Sequence, residues 1–168
     1  MKDIIVQTIG AVGYSLLALS YFKKVKKQIL LMQIFAYIFF VIHYYLLNGI
    51  TGAVCNFIGL FALISIYLFD KYNFKNKTIV VGLFIILLLI ANIIAFQNIY
   101  SIFPLVASTI VLISFIDNNE NNIRIVGIIA AVCWLLYAIV YKSYVAIAFE
   151  VVTLIDICVA YIQSILKK

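Results

Sequence analysis

The chain has 168 residues, of which 67% are hydrophobic and 11% are charged, and its mean hydropathy is +1.22. Soluble domains carry about 25% charged residues, and the apolar runs here approach the roughly 20 residues that cross a bilayer, so the composition excludes a soluble globular protein. The net charge of +6 suggests nucleic-acid binding, but the basic residues stand at the ends of the apolar runs, where such residues set membrane topology. We therefore predict no nucleic-acid partner.

Seven apolar runs follow one another along the chain, joined by short polar connectors. Because backbone groups in lipid must be hydrogen-bonded within their own segment, long runs without strand-like alternation predict helices rather than the strands of a barrel. We therefore predict an all-α integral membrane protein. Its seven predicted spans are about 4–22, 29–47, 50–69, 78–96, 100–116, 123–141 and 143–165.

The basic residues predict the orientation of the chain. Ten of the twelve fall on one side of the predicted bundle, and cytoplasmic loops carry an excess of Lys and Arg. The N-terminus is therefore expected outside and the C-terminus in the cytoplasm. The acidic loop 117–122 lies on the same side, but acidic residues contribute little to this rule. The ten residues are Lys23, Lys24, Lys26, Lys27, Lys71, Lys75, Lys77, Arg124, Lys167 and Lys168.

The second half of the chain resembles the first when the sequence is shifted by 94 residues. The shift brings Asn48 onto Lys142 and Asn56 onto Glu150. Three helices, one linker helix and three more helices give two triplets of the same orientation, which is a known transporter arrangement. The predicted units are a first triplet over 1–73, a linker helix over 74–97 and a second triplet over 98–168.

Five side chains inside the predicted spans are candidates for binding a solute. An ionised carboxylate costs about 2.5–3.5 kcal/mol in a membrane helix, so Glu150 is expected to face protein or a water-filled cavity, as a hydrogen-bond acceptor or a proton carrier. Asn56 could clamp a polar solute or join two helices. His43 could titrate near neutral pH or be a packing residue. Trp134 and Tyr137 share one helix face and could stack on a solute ring or belong to an interfacial belt.

Two further pairs of residues have mechanical or structural interpretations. Gly10 and Pro104 coincide under the 94-residue shift and are predicted hinges of the two triplets, with ordinary helix starts as the alternative. Asp156 is predicted to form an ion pair with Arg124, whose long side chain could reach inward from the end of the sixth span.

The remaining polar residues give weaker indications. Tyr44 and Tyr45 are interpreted as part of an interfacial belt, and Gln33 is a weak candidate for the site. No nucleophile stands beside a base at suitable spacing, and there is no metal-ligand or phosphate-loop motif. The sequence therefore predicts no enzyme, no cofactor and no metal.

The chain resembles the YgjV family of bacterial inner membrane proteins in five segments, which are LSYFKKVKKQ, HYYLLNG, CNFIG, FPLVAS and CWLLYAIVYKSYVAIAFE. The residues that stand where this family places them are His43, Asn56, Pro104, Trp134 and Glu150. Gly59 replaces a basic residue that is frequent in the family, which puts an anionic partner there in doubt. The resemblance implies a bacterial inner membrane location and no settled activity. More distantly, the arrangement is similar to the SWEET and PQ-loop transporters, in which side chains of spans 3 and 7 face a central sugar site.

The sequence therefore predicts a transporter of a small polar, sugar-like metabolite with a central site between two helix triplets. The predicted substrate-binding residues are Asn56, Glu150, Trp134, Tyr137 and His43. The alternative is a non-transporting membrane protein that acts as a scaffold or partner in an envelope complex. The expected partners are the lipid bilayer and the solute, and a homo-oligomer is left open.

Overall fold

The computed structural model describes residues 2–72, 76–116 and 120–166, and these form helices joined by short turns. All helices except α5 are long and apolar enough to cross a membrane, so the prediction of an all-α membrane protein is confirmed. The helices are α1 (Lys2–Tyr21), α2 (Lys26–Leu46), α3 (Ile50–Tyr72), α4 (Lys77–Ile94), α5 (Ile102–Ser114), α6 (Glu120–Val140) and α7 (Tyr144–Leu166).

The fifth helix is shorter than the span predicted over 100–116. A 3-10 turn over Ile99–Ser101 precedes the 13 residues of α5, so the two together are about 26 Å long, against about 30 Å for a bilayer core. The side chain of Asn98 caps the 3-10 turn and holds the chain extended just before it. Pro104 lies in the first turn of α5, where a missing backbone N–H leaves no helix hydrogen bond unmade.

Six of the helices form a closed ring, in which α1, α2, α3, α5, α6 and α7 each contact the next and α7 contacts α1. The remaining helix, α4, packs outside this ring against α3 and α5. Only Val81, Leu88 and Asn92 of α4 are buried, and the rest of its surface is mostly apolar and exposed. An apolar outer surface is what contact with lipid requires.

The turns between α2 and α3 and between α6 and α7 have the same geometry. Asn48 (φ 58°) and Lys142 (φ 50°) both adopt the left-handed conformation. In the first turn the amide of Gly49 donates to the carbonyl of Tyr44 at 2.9 Å, and in the second the amide of Ser143 makes the corresponding bond at 3.0 Å. Both turns therefore close their preceding helices with the bond across five residues that is typical of a Schellman motif.

An acidic residue near one end of the bundle joins three helices. Asp70 on α3 forms ion pairs with Lys26 on α2 and Lys77 on α4, each with an N–O distance of 3.1 Å. The Lys26 ammonium also donates a hydrogen bond of 2.6 Å to the backbone carbonyl of Phe115, just after α5. Both partners of the Lys26–Asp70 pair are largely shielded from solvent. The attraction between their charges is therefore less screened than in an ion pair at a surface.

The predicted ion pair between Arg124 and Asp156 is wrong. The Arg124 guanidinium donates instead to the Asn121 side chain at 2.9 Å and to the backbone carbonyl of Lys23 at 3.3 Å. Arg124 lies close to the start of α6, so its side chain reaches the α1–α2 turn rather than the middle of α7. It therefore ties α6 to the α1–α2 turn at that end of the bundle.

The ring helices approach closely where an aromatic ring rests on a glycine. A Cβ atom placed on Gly59 of α3 would lie 2.6 Å from the ring of Tyr37 on α2. A Cβ atom placed on Gly10 of α1 would lie 2.7 Å from the ring of His43, also on α2. Small residues at helix contacts let backbones approach closely, which is a principal source of helix association in membranes.

We expect Gly59→Ala to destabilise the protein by about 1–3 kcal/mol, because its new methyl group would overpack the ring of Tyr37. Gly82→Ala on α4 is the matched control, since no atom lies within 4 Å of the added methyl and alanine favours a helix by about 1 kcal/mol over glycine. Thermal unfolding of both purified variants in the same detergent measures the difference. Equal melting temperatures would contradict the close contact.

Candidate functional site

A cavity lies in the centre of the six-helix ring. Its volume is about 40 Å³, which is room for roughly three water molecules, since one needs about 10–15 Å³. All six ring helices contribute to its wall, whereas α4 contributes nothing. The fifteen lining residues are Tyr14, Leu17, Tyr21, Gln33, Tyr37, Phe40, Tyr44, Asn56, Val111, Gly127, Ala130, Ala131, Trp134, Glu150 and Thr153.

The carboxyl group in the cavity wall belongs to Glu150 of α7, which is only 2% exposed. The side chain of Tyr14, on the neighbouring α1, lines the cavity as well. One turn further along α7, Thr153 is also buried, and its hydroxyl has no hydrogen-bond partner among the described residues. The α7 side of the cavity therefore offers an acidic group and an unpaired hydroxyl.

Two amide side chains also line the cavity, and each uses one N–H of its NH₂ group within the protein. The Asn56 amide donates a hydrogen bond of 2.8 Å to the carbonyl of Gly52 on its own helix. The Gln33 amide donates one of 3.3 Å to the hydroxyl of Ser20. Each amide therefore has its carbonyl oxygen left to accept hydrogen bonds.

Aromatic rings from α1, α2 and α6 make up much of the remaining wall. The hydroxyls of Tyr14 and Tyr44 are hydrogen-bonded at 3.0 Å. The Tyr44 ring stacks on Trp134 with its centroid 5.3 Å away, and the Tyr14 ring lies 4.6 Å from that of Phe40. Contacts at such distances fix ring orientations. The hydrogen bond therefore joins two aromatic clusters into one rigid surface.

The wall formed by α6 is made largely of small residues. Gly127, Ala130 and Ala131 line the cavity on this side. A Cβ atom on Gly127 would lie 3.0 Å from the hydroxyl oxygen of Tyr21, so the tyrosine fills the space that a side chain would take. Large rings on α1 and α2 thus lie opposite small residues on α6, and the cavity is what they leave unfilled.

The structure brings three of the five predicted site residues to the cavity, which are Asn56, Trp134 and Glu150. Both Asn56 and Glu150 are buried, at 2% exposure each, and they line the cavity from α3 and α7. Sequence reasoning treated Gln33 as a weak candidate, and it lines the cavity as well.

The other two predicted residues, His43 and Tyr137, are buried but do not line the cavity. The two ring nitrogens of His43 lie 2.9 Å from the carbonyl of Val6 and 3.0 Å from the hydroxyl of Ser143. The Tyr137 hydroxyl accepts a hydrogen bond of 3.0 Å from the amide of Gly52. His43 therefore ties α2 to α1 and to the turn before α7, and Tyr137 ties α6 to α3.

Gly10 and Pro104, the predicted hinges, lie inside or at the start of regular helices. Gly10 is within the unbroken helix α1, against the His43 ring. Pro104 is buried in the first turn of α5. Their role as hinges stays a prediction.

The interpretation of Tyr44 as a belt residue is wrong, because Tyr44 is 1% exposed and lines the cavity, whereas its neighbour Tyr45 is 65% exposed. Sequence reasoning also missed Tyr14, Tyr21 and Tyr37. A signal was present: Tyr14 and Tyr21 are seven residues apart on α1, as are Tyr37 and Tyr44 on α2, and seven residues are about two helical turns. Each pair therefore lies on one face of its helix.

The described residues contain no group of His, Cys, Asp and Glu that could hold a metal ion. A protein-family model described as Imp-YgjV, bacterial inner membrane protein, matches residues 4–168. Neither the curated proteins nor the solved structures include a match to the chain.

We expect Tyr44→Phe to lower the free energy of unfolding by about 1 kcal/mol, because it removes the buried hydrogen bond to Tyr14 while keeping the ring. Tyr45→Phe, the exposed neighbour, should change it by less than about 0.5 kcal/mol. Denaturant titration of the two variants, followed by circular dichroism, gives both values. A loss of similar size in the two would contradict the buried hydroxyl pair.

Proposed function

Because the chain belongs to the Imp-YgjV family of bacterial inner membrane proteins, we propose that it is a transporter that carries a small polar solute through the central cavity. The solute is bound and released without chemical change. The cavity lies at the meeting point of two helix triplets, which is where parallel-repeat transporters place their substrate site.

The proposed architecture consists of two equivalent triplets, α1–α3 and α5–α7, joined by α4. A shift of 94 residues carries Lys26–Leu46 onto Glu120–Val140, and Ile50–Tyr72 onto Tyr144–Leu166. The left-handed residues Asn48 and Lys142 are related by the same shift. The contacts between triplets follow this symmetry too, since α1 packs on α7 and α3 packs on α5.

The observation that carries the proposal is the symmetry of the cavity lining. Ten of the fifteen lining residues form five pairs that are each 94 residues apart, which places equivalent positions of the two triplets around one central space. The pairs are Leu17 and Val111, Gln33 and Gly127, Tyr37 and Ala131, Phe40 and Trp134, and Asn56 and Glu150.

The small volume of the cavity limits the size of the solute that it can hold. Ligand pockets usually measure about 300–1,000 Å³, whereas this cavity measures about 40 Å³. A sugar would require the two triplets to separate substantially. We therefore assign the structure to a closed conformation and favour a solute of few heavy atoms over a sugar.

The orientation proposed from the sequence agrees with the placement of the charged groups. Lys26, Lys77 and Arg124 lie at helix starts at one end of the bundle, together with the turn after α1. Lys142 lies in the turn between α6 and α7 at the opposite end. We propose that the first end faces the cytoplasm, because cytoplasmic loops carry an excess of Lys and Arg.

A scaffold without transport activity is the alternative. It is favoured by the packing of His43 and Tyr137, which are hydrogen-bonded to residues of the opposite triplet rather than open to a solute. In that case the buried polar groups serve to join helices, as polar side chains commonly do in membranes.

Uptake into proteoliposomes tests the proposal. Labelled glycerol, urea, guanidinium and acetate are each supplied at millimolar concentration, and we expect at least one to enter faster than into protein-free liposomes. Glu150→Gln and Asn56→Ala should reduce that uptake at least tenfold, because the first removes the charge of the carboxyl group and the second removes an amide from the cavity wall. Val151→Ala is the matched control, since Val151 lies beside Glu150 but is 45% exposed.

Uptake that matches protein-free liposomes for all four solutes would contradict transport and favour the scaffold. Uptake that is unchanged in both cavity variants would place the path elsewhere in the protein. Helical circular dichroism and gel filtration of each variant show whether it is folded.

A further inference from the structure

The cavity has an unbalanced charge, because its lining contains one acidic residue and no basic one. Glu150 is the acid, and none of the fifteen lining residues is Lys, Arg or His. Among the described residues, the buried basic side chains are Lys26, Arg124 and His43. Lys26 and Arg124 are bound to Asp70 and to backbone carbonyls at one end of the bundle, and the ring nitrogens of His43 are bound to Val6 and Ser143. An ionised carboxylate in a membrane interior is normally paired with a positive group, and none of the fifteen lining residues supplies one.

Several polar groups of the lining can accept hydrogen bonds. The amides of Asn56 and Gln33 each use one N–H within the protein and have a carbonyl oxygen that can accept, and the Thr153 hydroxyl has no partner among the described residues. Together with the carboxylate of Glu150 they offer acceptors to a bound molecule. A ligand that carries several N–H donors would satisfy them.

Aromatic rings surround these acceptor groups. Six of the lining residues are aromatic, and the negative face of an aromatic ring attracts a cation within about 6 Å, most strongly where water is excluded. A carboxylate among aromatic rings is a typical environment for a small organic cation. The six are Tyr14, Tyr21, Tyr37, Phe40, Tyr44 and Trp134.

We propose that the cavity selects a small organic cation with N–H donors, of the guanidinium or alkylammonium type. This proposal rests on the proposed function and names the class of its solute. An anion would meet the Glu150 carboxylate without a compensating positive charge. A neutral polyol would leave the carboxylate unpaired.

The single tryptophan of the chain, Trp134, lines the cavity, so its fluorescence reports on binding there. We propose to titrate the purified protein in detergent with guanidinium, urea and acetate at millimolar concentration and constant ionic strength. These three planar molecules have four heavy atoms each and differ in charge. Potassium ion is added as a cation that has no N–H group.

We expect a saturable change in Trp134 emission with guanidinium and none with urea, acetate or potassium. Glu150→Gln should weaken guanidinium binding at least tenfold, because the glutamine keeps the shape of the side chain and removes its charge. Val151→Ala should bind as the unaltered protein does. The comparison of the four probes on the unaltered protein decides the proposal even if Glu150→Gln does not fold.

A saturable response to urea or acetate that exceeds the response to guanidinium would overturn the proposal, as would no response to guanidinium. An equal response to potassium would overturn the requirement for N–H donors. If urea or glycerol is taken up by proteoliposomes while guanidinium does not bind, transport stands and only the class of the solute is wrong. If no solute is taken up, the proposed function itself fails.

Discussion

The placement of one acidic side chain in a lipid-embedded helix constrains the rest of the structure. Glu150 must be kept from the acyl chains, because a carboxylate at that depth costs about 2.5–3.5 kcal/mol. The protein meets this requirement by closing six helices around it, so that only 2% of the residue is exposed. The contacts of α7 with α1 and α6 shield the acid from lipid, and the central cavity is the space that the large rings of α1 and α2 and the small residues of α6 leave unfilled.

Close helix contacts make that ring possible. Lipid provides little hydrophobic force to join helices, so association depends on packing and on hydrogen bonds between them. Rings that rest on glycine supply the packing, as at Gly10 with His43 and Gly59 with Tyr37. Hydrogen bonds that cross from one triplet to the other add to it, as from His43 to Ser143. The residues around the cavity are therefore held in place by neighbours that do not line it.

Much of the fold followed from the sequence, because helix length and position depend on hydropathy, which is local information. The helix α5 is shorter than predicted because the Asn98 cap and the 3-10 turn move its start along the chain. Apolar composition does not indicate such a cap. The site was predicted less well. Counting from a turn gives the depth of a residue but not the face of the helix on which it lies, so Tyr44 was taken for a belt residue and Arg124 was given the wrong partner. The 94-residue shift paired Asn56 with Glu150, and both line the cavity, as residues at equivalent positions of a repeat would.

The most direct measurement of the central claim is a double-mutant cycle between Asn56 and Glu150. Asn56→Glu alone adds a second acid to the cavity, Glu150→Asn alone removes the first, and the double variant exchanges the two side chains. If both residues line one cavity from equivalent positions, the exchange should restore a single acid there. The free energy of unfolding of the double variant should then exceed the value obtained by adding the two single effects by at least about 1 kcal/mol. Additivity within about 0.5 kcal/mol would mean that the two side chains do not share a cavity, and it would contradict the account.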